Sequence, residues 1–154
     1  MEKLNKSTTW KKMMGGVSIE IIHWGEDEPL MNHGRGIWNH YVYIYEANLP
    51  KAMFESIWLP DRPNTMLDSG RKYVSHDYYG CHPLNEPDWH GGITFYAKHD
   101  QLEGTRCVQV GCDYNHLHDE EHTWTLEQVL QDAEAVAKCL IATLQIQDPN
   151  EKYT

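Results

Sequence analysis

The sequence predicts an α+β domain: a small, mainly antiparallel sheet packed against one long C-terminal helix. Three observations predict it. Residues 37–46 alternate as a strand does, with Tyr41, Tyr43 and Tyr45 on one face and Val42 and Ile44 on the other. Residues 93–98 and 105–112 are two strand-like runs joined by a short segment containing Gly104, the pattern of a β-hairpin. Beyond Thr125, apolar residues recur at three- and four-residue steps, the period of a helix that buries one stripe.

The elements follow in order. Residues 1–15 are polar and carry Lys3, Lys6, Lys11 and Lys12 against the single acid Glu2, which predicts a loosely held terminus. Residues 17–22 alternate and are rich in β-branched side chains, so they read as a strand. Residues 25–36 hold Pro29, Gly34 and Gly36 and read as a loop. Asn48 is placed to cap a short helix from about Pro50 to Trp58, ended by Pro60 and Pro63. Residues 60–91 hold four of the seven prolines and little periodicity, and a loop that long within a compact domain is usually functional. The last helix opens on a capping box, Thr125 with Gln128. Its apolar stripe is Leu126, Val129, Leu130, Ala133, Val136, Ala137, Leu140, Ile141 and Leu144. Burying seven large side chains at roughly 1.5–3 kcal/mol each gives on the order of 10–20 kcal/mol. Ordering the helix costs a comparable amount, at about 1–2 kcal/mol per residue. The helix must therefore dock, and the sheet is its partner. The domain is expected over residues 16–148, with a tail over 149–154.

Composition narrows the function. At 154 residues and 18.0 kDa the chain supports one core. Acidic residues number 23 and basic residues 13, a net charge of −10, which argues against binding a nucleic-acid polymer. A mean hydropathy of −0.67 and the lack of any long apolar run argue against a membrane span. No secretory signal is visible, and Cys81, Cys107, Cys112 and Cys139 include no C-x-x-C pair. They are expected to be reduced thiols in a cytoplasmic compartment. Acidic residues outnumber Arg106 by nine to one over 99–135, a charge balance suited to a basic partner protein.

Seven of the ten histidines lie between positions 76 and 122, and five of them, His82, His90, His116, His118 and His122, lie in three short segments that flank the hairpin. The start of one hairpin strand lies beside the end of the other, so His90 and Asp113 are expected to be neighbours in space. With His82 and His116 they form a candidate set of imidazole and carboxylate ligands for a divalent metal, zinc or manganese. Such an ion lowers the pKa of bound water toward ~7, and Glu120 is the candidate general base beside it. Asp113 also suits a plain turn, and acids near 119–121 also complement the positive end of the following helix. Gly91 and Gly92 suit either a small anion nest or a β-bulge. Trp89 and the Tyr43 stripe offer rings on which a base or sugar can stack. Cys81 beside His82 is a weaker, thiol-based alternative.

The segments His82-Pro83-Leu84, His90-Gly91-Gly92-Ile93-Thr94-Phe95 and Val110-Gly111-Cys112-Asp113-Tyr114-Asn115-His116, followed by a helix begun at Thr125, resemble a family of small bacteriophage and bacterial proteins. That family carries an HGGLTY motif where a strand starts, a GFDCxHxGD motif where a strand ends, and a closing helix. The resemblance covers roughly residues 80–145. His90, Gly91, Gly92, Asp113 and His116 take matching positions; the motif's cysteine is replaced, and His118 stands where the family has the last glycine. The resemblance implies that these residues form one site and that the chain is of phage type. The expected function is a metal-dependent hydrolase acting on a phosphoester or nucleotide-like ligand. The alternative is a non-catalytic phage-encoded binding or inhibitor protein, a host-defence antagonist or one that sequesters a small nucleotide.

Overall fold

The computed structural model describes residues 7–24, 38–60, 72–73, 83–114 and 123–151. In chain order the elements are β1 (Thr8–Met14), β2 (Val17–His23), β3 (Trp38–Tyr45), α1 (Lys51–Ile57), β4 (Lys72–Tyr73), β5 (Phe95–Leu102), β6 (Thr105–Asp113) and α2 (Leu126–Leu144). The strands make one six-stranded sheet in the order β1-β2-β3-β6-β5-β4, antiparallel throughout. This is the expected α+β architecture, a sheet with the long C-terminal helix packed on it.

β1 corrects the expectation of a loose terminus. From Thr8 onward the segment is joined to β2 through seven residue pairs, Thr8 with His23 through Met14 with Val17. It is an edge strand, and lysines are common there because they keep other chains from pairing with the open edge. Gly15 and Gly16 close the hairpin, both at positive φ. A Cβ on Gly16 would stand 2.5 Å from the carbonyl oxygen of Gln147, so this turn packs directly on the chain after α2. Asn48 belongs to the same corner. Its Nδ2 donates to the Gly16 carbonyl at 2.9 Å, and its own carbonyl accepts from the Gln147 amide. It therefore does not cap α1, whose first turn is preceded by Pro50.

Strand alternation splits the sheet into two faces. The inner face carries Ile19, Ile21, Val42, Ile44, Val108, Val110 and Cys112, all buried. Both helices lie there: α2 buries Val129, Ala133, Val136, Ala137, Leu140 and Leu144, and α1 buries Phe54 and Ile57. Leu126, Leu130 and Ile141 are partly buried against the same core. The capping box forms as its spacing predicts, with Thr125 Oγ1 accepting from the Gln128 amide and Gln128 Oε1 from the Thr125 amide. The chain after α1 is fastened to β5, where the Tyr96 hydroxyl donates to the Ile57 carbonyl and accepts from the Leu59 amide, and Lys98 donates to the Leu59 carbonyl. Arg106 binds both oxygens of Glu46 and one of Glu55. Its guanidinium also covers the Trp58 ring at 4.7 Å.

The outer face carries Ser18 and Glu20 of β2, Tyr41, Tyr43 and Tyr45 of β3, Gln109 and Gly111 of β6, and Phe95 and His99 of β5, as the registers require. Gly111 is needed there. Any Cβ would run into the Tyr41 ring and come within 2.5 Å of the His40 carbonyl oxygen. The Tyr41 ring instead lies over the bare backbone and meets Phe95 edge-on at 5.2 Å. Cys107, Cys112 and Cys139 are free thiols, and among the described residues no helix is long and apolar enough to cross a membrane.

Candidate functional site

The hairpin folds back as its spacing predicts. The Thr94 amide donates to the Gly111 carbonyl at 3.0 Å, and Phe95 is in register with Gly111. This carries the segment before β5 to the exit of β6. There the His90 ring stacks on Tyr114 with centroids 4.0 Å apart and planes within 11°. Trp124 meets both rings edge-on at 4.9 Å. The Tyr114 hydroxyl donates to Asp132 at 2.6 Å and so ties this cluster to α2.

The imidazole thus arrives beside the residue after Asp113. Asp113 itself is in register with Asn39, on the opposite face of β6 from Cys112. Alternation places it at an outer-face position, while His90 joins rings on the inner side. His90 makes its ring contacts with Tyr114 and Trp124. Among the described residues no group of three or more His, Cys, Asp or Glu side chains is placed to hold a metal ion. His82, His116 and Glu120 lie outside the described residues, as do Cys81 and His118.

Behind His90 stands a group that no sequence motif marks. His40 is fully buried on the inner face, opposite Cys112, with its Nε2 3.3 Å from the Cys112 sulfur. Its ring stacks on Trp89 at 5.8 Å, and its Nδ1 has no hydrogen-bond partner among the described residues. Burial, followed by the charge of nearby His90, lowers its pKa to about 4, so the ring is neutral at pH 7. A signal for it does exist in the strand pattern: position 40 alternates with Val42 and Ile44, the inward set.

Trp89 is not a surface for a ligand. It is buried in the core and its Nε1 donates to the Leu84 carbonyl at 2.8 Å. Gly91 and Gly92, at φ of 72° and 91°, form a turn ahead of β5 rather than a bulge within it. The Gly92 amide donates to the Trp89 carbonyl, which removes one of the two donors an anion nest needs.

Tyr43 sits in a different setting. Its hydroxyl donates to Glu20 at 2.7 Å, the Tyr45 hydroxyl pairs with Ser18 at 2.7 Å, and His99 pairs with Gln109 at 2.8 Å. The His99 ring stacks on Tyr43 at 6.3 Å. Burial and the Glu20 carboxylate push the Tyr43 hydroxyl far above its ordinary pKa, and burial raises that of Tyr45. Both stay neutral hydroxyls. The ammonium of Lys11 lies 5.6 Å over the Tyr43 ring and 4.0 Å from Glu20. At the Tyr45 end the face opens into a cleft of about 240 Å³ lined by Met13, Ser18, Tyr45, Asn48, Glu103 and Thr105. The Cys107 thiol in this region is buried and pushed up to about 12, so it supplies no thiolate at neutral pH. The arrangement offers ring faces, neutral hydroxyls and an amide: groups that hold a ligand.

Comparison with protein families, with curated proteins and with solved structures finds no match for this chain.

Proposed function

We propose that this protein acts by binding rather than by hydrolysis, and that the outer face of its sheet seats the ring of a small ligand, a base or a sugar. One observation carries the reading. Tyr43, Tyr45, Phe95 and His99 set rings on the outer face of β3 and β5, either side of β6, with Tyr43, Tyr45 and His99 hydrogen-bonded in place and the face ending in the cleft beside Tyr45. Rings fixed on strands stack on a planar ligand with little loss of side-chain freedom. The small size of the chain, its acidity and its resemblance to phage proteins fit an antagonist that withdraws a small ligand from host defence. The hydrolase reading, with zinc or manganese on His82, His90, Asp113 and His116 and Glu120 as base, has one supporting observation: His90 reaches the exit of β6.

The two readings separate in one titration. Adenosine and a methyl hexoside are added to isotope-labelled protein and amide shifts are followed by NMR. Shifts at residues 18–20, 41–45 and 95–99 support the outer face. Tyr43→Ala is then expected to weaken binding about tenfold, from a stacking contribution of about 1–3 kcal/mol. Shifts confined to residues 82–90 and 113–120 that appear only with added zinc or manganese, together with turnover of a nucleotide, would overturn the reading.

A further inference from the structure

We infer that the cleft at the Tyr45 end of the outer face selects a ligand whose ring carries an ammonium group rather than a phosphate. The inference rests on the outer face being the ligand seat and adds the charge of what it takes.

The face already holds one cation. Lys11 places its ammonium over the Tyr43 ring and against Glu20, which pairs a negative ring face with a carboxylate. The cleft next to it repeats that pair with Tyr45 and Glu103, and among the described residues its lining contains no lysine, arginine or histidine. Glu103 and Glu20 both add negative potential at the Tyr45 ring. Arg106, the neighbour of Thr105 in the chain, is held by Glu46 and Glu55. A phosphate entering the cleft would find the Glu103 carboxylate and, among the described residues, no counter-charge in its walls. An ammonium would find the Glu103 carboxylate, the Tyr45 ring, the Met13 sulfur and the Ser18 and Thr105 hydroxyls.

The cleft's volume is small against the roughly 300–1,000 Å³ of drug-sized pockets, so the ligand is of single-ring size.

Three phenols of matched size and different charge test the inference: tyramine, neutral tyrosol and 4-hydroxyphenylacetate, titrated by NMR at low salt. Tyramine is expected to bind most tightly, about tenfold better than the acid, with shifts at Ser18, Tyr45 and Thr105. Glu103→Gln is expected to weaken tyramine about tenfold and leave tyrosol unchanged. Glu127→Gln, the same charge change on α2, is expected to alter neither. Equal binding of all three, or tighter binding of the acid, overturns the charge selectivity and leaves the ring seat standing. Binding of none of them at the outer face overturns both.

Discussion

Replacing His40 by leucine should flatten the acid side of the stability curve. In the unfolded chain this imidazole titrates near 6.5; in the fold, burial and then the charge of His90 lower it to about 4. Between those values the unfolded state binds more protons than the folded state. Stability is therefore full above pH 6.5 and falls as the pH drops through the window. The gap is 6.5 − 4 = 2.5 units. At about 1.36 kcal/mol per unit the limiting loss is about 3.4 kcal/mol, and about 3 kcal/mol of it has accrued by pH 4. That is a large share of the roughly 5–15 kcal/mol that holds a domain folded. Leucine is close to histidine in volume and cannot take the proton. Urea unfolding of both proteins at steps from pH 4 to 8 gives the difference between them, in which titrations common to both cancel. The advantage of the wild type should grow by about 3 kcal/mol from pH 4 to 7.5. His90→Gln should leave most of that slope, because burial is the larger cause. Parallel curves, or an NMR midpoint for His40 near 6.5, would refute the reasoning and with it the packing of β3 against Trp89 and Tyr114.

Two substitutions probe how the inner and outer faces are joined. Gly111→Ala should destabilise by at least about 1–3 kcal/mol in thermal unfolding, because the Cβ meets the His40 carbonyl oxygen and that backbone atom cannot swing aside. Tyr114→Phe removes the hydroxyl that binds Asp132 and should cost about 1–2 kcal/mol while leaving the ring stack with His90 intact.

Legibility in the sequence tracks the range of each interaction. α2 is legible because its signals are local: a cap three residues from its partner and an apolar stripe at helical spacing. The β5–β6 hairpin is legible for the same reason. β1 is not, because an exposed edge strand has the composition of a polar tail, and its pairing partner lies on the far side of the Gly15–Gly16 turn. Asn48 has the local signature of a cap, while its long-range partner, Gly16, is invisible from neighbouring residues. The convergence of residue 90 on the exit of β6 is legible from connectivity alone. His40 obeys the strand's alternation, yet a polar residue type is easily passed over in an inward register.

The central strands β3 and β6 explain why the two faces differ so sharply in chemistry. One step along each strand moves from His40 and Cys112 on the core side to Tyr41 and Gly111 on the outer face, where Tyr43 and Tyr45 follow. The platform therefore rests on a backbone whose other side is the apolar core. A seat built this way is held by neighbouring strands on both sides and needs little ordering when a ligand arrives. Catalysis at the ends of loops asks for the opposite: groups brought together from segments with freedom to adjust. The outer face has the rigidity and neutral hydrogen-bonding groups of a binding surface, and the buried Cys107 thiol, in register with Tyr45, is held protonated. That is why the physical case for capture is stronger there than the case for turnover.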